Sequence, residues 1–280
     1  MQANIPGLAN ATEGITSNGV PYIAAPPEQP ANLRGIILLW HGADPPRSEA
    51  SLAAALPLRN LDCWRIYLGM PLYGRRAPAG GFDAIMRLAA EDAVRLIFQP
   101  SIQGAVDELP SALDDIRIRL GIDAALPLGL FGFSQGGAAA LLTLSRGEIL
   151  FKAAATFGAV VDLHSLVDTL AAMYGTPYEW TPERMAAAES LSSTQRAQAL
   201  AASRVALLMA IGADDPLPAR EPAERLAGEI QAAGGTAQVT IIQHVPHAFV
   251  EPPGEAAAPQ GPMARSIESV VSDWFERHLF

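Results

Sequence analysis

The chain has 280 residues, of which half are hydrophobic and 17% are charged. This length and composition allow one large buried core and exclude intrinsic disorder. The net charge of −10 leaves no excess of lysine and arginine to meet phosphates, so we expect no nucleic-acid partner. The apolar runs are too short to span a bilayer, so we also expect no membrane partner.

The amino terminus and the cysteine content bear on the cellular compartment. The first residues lack the basic and apolar regions of a secretory signal. The single cysteine, Cys63, excludes an intrachain disulfide framework. We therefore expect a cytoplasmic protein.

Short apolar runs alternate with amphipathic segments along the whole chain. Asn18 and Gly19 lie between two short apolar runs and favour an opening β-hairpin. The later runs, each of strand length, are 35–40, 63–68, 127–131, 153–157, 205–211 and 239–242. Continuous apolar runs suit strands that are covered on both faces. The alternation predicts an α/β fold with a mostly parallel sheet and helices on both sides.

Two segments have clear helical periodicity. Apolar residues recur at spacings of three and four from Ile102 to Leu120, which predicts a helix with one buried face. Pro110 interrupts this pattern and predicts a kink or a fresh start. A similar pattern from Met263 to His278 predicts a closing helix.

The segment 132–136 reads Gly-Phe-Ser-Gln-Gly, directly after a predicted strand and before an alanine-rich stretch. A G-x-S-x-G sequence between a strand and a helix predicts a sharp turn that holds the hydroxyl of Ser134 at the carboxyl edge of the sheet. A side chain at Gly132 or Gly136 would press on neighbouring backbone in such a turn. Ser134 is therefore the candidate nucleophile.

A serine hydroxyl needs a base within hydrogen-bond reach and an acid that orients the base. Asp214 and Asp215 follow the strand predicted at 205–211, and His244 and His247 follow the strand predicted at 239–242. Serine, then acid, then histidine is the chain order expected for this sheet topology.

The segment 160–203 is longer than an ordinary connection and is helical in character. We interpret it as a small cap over Ser134, inserted in a single domain that spans 1–280. The alternative is a surface excursion without substrate contact.

From about Gly35 onward, these motifs resemble the serine esterases of the α/β-hydrolase superfamily. The superfamily pattern Gly-x-x-Asp falls on Asp215 rather than Asp214, and Asp162 is a minor alternative for the acid. A base followed by a small residue and an aromatic residue implies His247 rather than His244.

Two groups within the superfamily have similar segments. The segment 132–138, around the serine, is similar to the corresponding motif of small carboxylesterases and acyl-thioesterases. The segment 71–76 is more similar to capped, dienelactone-hydrolase-like esterases and to prolyl-oligopeptidase-type domains.

An oxyanion requires two preorganised backbone N–H donors. Gln135, at the head of the helix after the serine, is expected to supply one. His41-Gly42-Ala43 resembles the His-Gly-x segment of the superfamily, which implies Ala43, or next Gly42, as the second donor. We expect His41 itself to be structural. The candidate substrate-binding residues are aromatic: Trp40, Tyr73, Phe133, Tyr174, Tyr178 and Trp180.

The resemblance implies a serine carboxylesterase that cleaves short-to-medium acyl or aryl esters through an acyl-enzyme. The alternatives are an acyl-thioesterase, a peptidase or amidase on small substrates, and a non-catalytic ligand-binding protein of the same fold. The histidines are scattered, and no glycine-rich phosphate loop follows a strand. We therefore expect no metal, no cofactor, a small-molecule ester as substrate, and a monomer or homodimer.

Overall fold

A computed structural model describes all 280 residues. One eight-stranded sheet crosses the molecule, with its strands in the order β1-β2-β4-β3-β5-β6-β7-β8. The strands are β1 Thr12–Ile15, β2 Pro21–Ala25, β3 Gly35–Trp40, β4 Cys63–Leu68, β5 Leu128–Phe133, β6 Ala153–Phe157, β7 Ala206–Gly212 and β8 Thr236–Ile242. β1 and β2 are antiparallel to their neighbours, and β3 to β8 are mutually parallel. The predicted hairpin and mostly parallel sheet are confirmed.

Helices cover both faces of the sheet. They are α1 Glu49–Ala55, α2 Gly81–Asp92, α3 Gln99–Leu120, α4 Gln135–Arg146, α5 Leu163–Tyr174, α6 Pro182–Leu191, α7 Ala197–Ala202, α8 Arg220–Ala232 and α9 Pro262–His278. A π-helical segment, 93–98, joins α2 to α3. None of the helices has both the length and the hydropathy that a bilayer-crossing segment needs.

The core consists of two apolar clusters, one on each side of the sheet. Alternate residues of β3 divide between them: Ile36 and Leu38 face the side of α3 and α4, whereas Ile37 and Leu39 face the side of α1 and α9. Every residue of β3, β5 and β6 is buried. This explains why these strands are continuous apolar runs, since a strand covered on both faces has no solvent-facing positions.

The long helix α3 runs through Pro110 without restarting. Leu109 and Leu113, on either side of the proline, are both buried against the core. This burial stabilises the helix across a position that lacks one backbone hydrogen bond. Of the two outcomes predicted at Pro110, the fresh start is therefore wrong and the kink stays a prediction; the predicted helix is otherwise present.

The segment 160–203 contains three helices, α5 to α7, and it is tied to a distant part of the chain. The buried carboxylate of Asp92, at the end of α2, accepts a 2.6 Å hydrogen bond from the hydroxyl of Tyr178. Its other oxygen accepts a 3.0 Å hydrogen bond from Nε of Arg184 on α6. These contacts fix the segment against α2. Its role as a cap remains a prediction.

Candidate active site

Ser134 lies at the corner between β5 and α4, with φ 53° and ψ −115°. A residue with a side chain pays about 1–3 kcal/mol for a backbone conformation of this kind. Its backbone is held on both sides: the N–H donates to the carbonyl of Phe157 at 3.0 Å, and the carbonyl accepts from the N–H of Ala138 at 3.1 Å. The strain is therefore maintained by the sheet and by the first turn of α4.

Glycines allow three backbone segments to approach each other at this corner. A Cβ added at Gly132 would collide with the carbonyl oxygen of Gly136. One added at Gly136 would lie 2.5 Å from the carbonyl oxygen of His41, and one at Gly42 would lie 2.8 Å from Cβ of Ser134. The absence of side chains thus brings the loop after β3 directly beside the serine.

His247 and Asp215 reach Ser134 from the loops after β8 and β7. Nε2 of His247 is 3.0 Å from Oγ of Ser134, and Nδ1 of His247 is 2.8 Å from Oδ2 of Asp215. The ring of His247 packs on Phe133, with centroids 5.2 Å apart. A Cβ added at Gly158 would lie 2.9 Å from the ring, so that position also leaves space for it.

The hydrogen bonds assign the tautomer of His247. An ionised Asp215 can only accept, so Nδ1 carries the proton and Nε2 is free to accept from the hydroxyl of Ser134. The second oxygen of Asp215 accepts from the N–H of Leu217 at 2.9 Å. This arrangement can remove the proton from Ser134 as the hydroxyl attacks an electrophile.

The competing residues do not join this group. Asp214 and His244 are exposed and make no side-chain hydrogen bond. Asp162 instead caps α5, where its carboxylate accepts from the N–H and hydroxyl of Ser165.

Two backbone N–H groups near the serine have no acceptor. Neither the N–H of Ala43 nor that of Gln135 makes a hydrogen bond, whereas the N–H of Gly42 donates to the carbonyl of Pro46 at 3.3 Å. Free N–H groups at a helix start and in an adjacent loop are suited to bind a developing negative charge. The geometry therefore favours Ala43 over Gly42.

His41 fixes the loop that carries Ala43. It is fully buried, its Nδ1–H donates to the carbonyl of Gly42 at 2.8 Å, and its Nε2 accepts from the N–H of Met70 at 3.1 Å. Burial lowers the pKa of His41, although the Gly42 carbonyl acts in the opposite direction. The side chain thus ties the loop after β3 to the loop after β4.

Comparisons with known proteins agree with this topology. The sequence profile of the prolyl oligopeptidase family matches residues 124–260, slightly less than half of the chain. The structure is similar to TT1662 from Thermus thermophilus, with a TM-score of 0.65 and 18% identity, over 96% of this chain and 99% of that chain. It is also similar to dienelactone hydrolase from Anabaena variabilis, with a TM-score of 0.61 and 17% identity, over 97% and 100% of the two chains. The chain has the α/β-hydrolase fold.

A longer protein is also similar to this chain. Acylaminoacyl peptidase from Pyrococcus horikoshii has a TM-score of 0.67 and 12% identity, over 99% of this chain and 42% of that chain. The chain thus spans about two fifths of that peptidase. Comparison with curated protein sequences gives no significant match. Together with the fold, the family match supports a serine hydrolase.

The side chain of Gln135 is held at both ends. Its Oε1 accepts from the hydroxyl of Ser101 at 2.8 Å, and its Nε2 donates to the hydroxyl of Tyr73 at 3.2 Å. Tyr73 is buried, and burial raises its pKa to about 12. The sequence analysis did not identify Ser101. Its position directly before Ile102, at the start of the apolar helix face, is the local signal that could have indicated a buried hydroxyl.

The aromatic residues predicted to bind substrate differ in their environments. Trp40 and Phe133 are buried beneath the site, and Tyr73 braces Gln135. Tyr178 donates to Asp92, and Trp180 stacks on His164 with centroids 4.3 Å apart. The sixth residue, Tyr174, is exposed. Substrate contact by any of them stays a prediction.

A narrow pocket opens beside His247. Apolar residues provide most of its wall, and it leaves room for about one water molecule. Its lining includes Ala159, Val160, Val161, Leu166, Leu217 and Ala219. These residues present an apolar surface beside His247.

Asp44, the residue after Ala43, also faces the histidine. Its Oδ2 is 3.6 Å from Nε2 of His247, and its side chain is 51% exposed. No local pattern in the sequence indicates that the loop carrying His247 folds against Asp44.

Proposed function

We propose that the protein is a serine hydrolase that cleaves carboxylic esters with short-to-medium acyl or aryl groups. The observation that carries the proposal is the continuous hydrogen-bonded path from Ser134 through His247 to Asp215, with distances of 3.0 and 2.8 Å. A nucleophile, a base and an orienting carboxylate within hydrogen-bond reach are the minimum set for acyl transfer by serine.

In the proposed reaction, His247 accepts the proton of Ser134 while Oγ attacks the ester carbonyl. Asp215 fixes the tautomer of His247 and stabilises the imidazolium that forms. The N–H groups of Ala43 and Gln135 stabilise the tetrahedral oxyanion, and losing one such donor typically raises the barrier by about 3–4 kcal/mol. His247 then protonates the leaving alcohol, and water activated by His247 releases the acid from the acyl-enzyme.

The mostly apolar lining of the pocket beside His247 supports an ester with an apolar acyl group. The likeness to dienelactone hydrolase over nearly the full length of both chains supports ester chemistry. The prolyl oligopeptidase match supports a second candidate, a peptidase or amidase that acts on small substrates. A thioesterase of the same fold would use the same groups.

The deciding experiment compares purified protein on nitrophenyl esters of increasing acyl length with the matched thioesters and nitroanilides. We expect the highest kcat/KM on a short nitrophenyl ester. Ser134→Ala should lower it by at least about 10³-fold with the fold intact by circular dichroism. Ser269→Ala, which removes an exposed hydroxyl on α9, is the control and should retain activity. Faster turnover of the anilide would favour the peptidase, and full activity in Ser134→Ala would refute the mechanism.

A further inference from the structure

The carboxylate of Asp44 lies in the candidate site, beside His247. Oδ2 lies 3.6 Å from Nε2 of His247, the side chain is about half exposed, and neither oxygen accepts a hydrogen bond. Asp44 directly follows Ala43, whose N–H is free. A carboxylate without internal partners next to the reacting atoms is available to a substrate.

No lysine or arginine forms an ion pair with this carboxylate. Apart from the ring of His247, no basic group lies within 4.0 Å of Asp44. Arg47, on the same loop, places its guanidinium over the ring of Phe82 at 4.5 Å instead.

The proposed reaction determines which part of a substrate meets Asp44. The leaving oxygen must come within hydrogen-bond distance of Nε2 of His247, because that nitrogen delivers its proton. The alcohol part of an ester therefore lies beside Asp44. A positive charge about two carbons from the ester oxygen would approach the carboxylate, and a negative charge there would be repelled.

We propose that Asp44 is a specificity-determining residue that selects esters of cationic alcohols, those with an ammonium group near the ester oxygen. This inference rests on the proposed esterase function and adds the chemical class of the leaving group. The rival role is a purely internal one, in which Asp44 interacts only with His247. In that case, removing the carboxylate would change kcat/KM by the same factor for a cationic and a neutral ester.

The test uses two acetate esters that have the same shape and differ in charge, acetylcholine and 3,3-dimethylbutyl acetate. Hydrolysis is followed by pH-stat titration with the full-length protein, Asp44→Asn and Asp214→Asn. Asp214 is exposed on a neighbouring loop and makes no side-chain contact with His247, so its variant is the matched control for loss of one carboxylate.

We expect the wild-type protein and Asp214→Asn to prefer acetylcholine by about three- to tenfold in kcat/KM, as expected for one partly solvated charge pair. In Asp44→Asn the ratio should fall to about one to twofold, through loss of turnover on the cationic ester. An unchanged ratio, or an equal loss on both esters, would overturn the inference while the esterase function stands. No turnover of either ester by the wild-type protein would overturn both.

Discussion

Asp214 and Asp215 are neighbours in the chain, but their side chains have opposite environments. The side chain of Asp215 is 1% exposed and hydrogen-bonds to His247, whereas Asp214 is exposed to solvent. The turn after β7 produces this difference, because the N–H of Asp214 donates to Val245 and that of Asp215 to Gly212. Backbone geometry therefore decides which of two identical carboxylates faces the base.

Replacing each of these aspartates by asparagine separates their roles. We expect Asp215→Asn to lower kcat on a short nitrophenyl ester by about 10³–10⁴-fold, because an amide no longer fixes the productive tautomer of the histidine. Asp214→Asn should change kcat less than about threefold, since solvent already screens that charge. Steady-state kinetics measures both, and the reverse ranking would show that the acid is assigned to the wrong residue.

At the scale of elements, the corner between β5 and α4 depends on close backbone packing. The strand, the helix and the loop after β3 meet where Gly132 and Gly136 leave no room for a Cβ. Ser134, at this junction, has a strained backbone conformation with a positive φ. Regular structure on both sides is therefore what keeps the hydroxyl in place.

Two glycine-to-alanine variants test this view of the corner. Gly132→Ala places a methyl group on the carbonyl of Gly136, so we expect a loss of at least about 2 kcal/mol in the free energy of unfolding. Gly228→Ala, on α8, meets no atom within 4 Å and should instead raise that free energy by about 0.5–1 kcal/mol. Urea denaturation followed by circular dichroism measures both. Equal effects of the two variants would contradict the packing argument.

At the scale of the whole molecule, buried His41 couples stability to pH. Burial lowers its pKa from the usual 6.5, so the unfolded chain binds a proton at pH values where the folded protein does not. The stability that neutral His41 contributes is fully present above about pH 6.5 and is lost as the pH falls below it. Protonation would also turn Nε2 into a donor that faces the N–H of Met70.

His41→Gln removes this titration. We expect the wild-type protein to lose more free energy of unfolding than His41→Gln when the pH falls from 7.5 to 5. The other titrating groups are common to both proteins, so the difference between the two losses isolates His41. Urea midpoints at the two pH values provide the measurement. A larger loss in the variant would mean that His41 is charged when buried.

The sequence by itself predicted the strands, the helices α3, α4 and α9, and the chain order of the candidate groups. Continuous apolar runs, glycines at the serine corner and residues placed just after strands are local signals, because buried parallel strands and tight turns restrict composition at each position. The location of Ser134 and the two acid–base segments required nothing more. The choice of Asp215 and His247 within those segments also needed a family resemblance.

Only the tertiary structure could decide contacts between residues far apart in the chain. Three sets of contacts join separate loops or helices. Asp44 lies beside His247, Ser101 and Tyr73 hydrogen-bond to the side chain of Gln135, and Tyr178 hydrogen-bonds to Asp92. The continuity of α3 through Pro110 likewise depends on burial against the core. Such contacts arise from how the helices pack on the sheet, and no local pattern in the sequence encodes that packing.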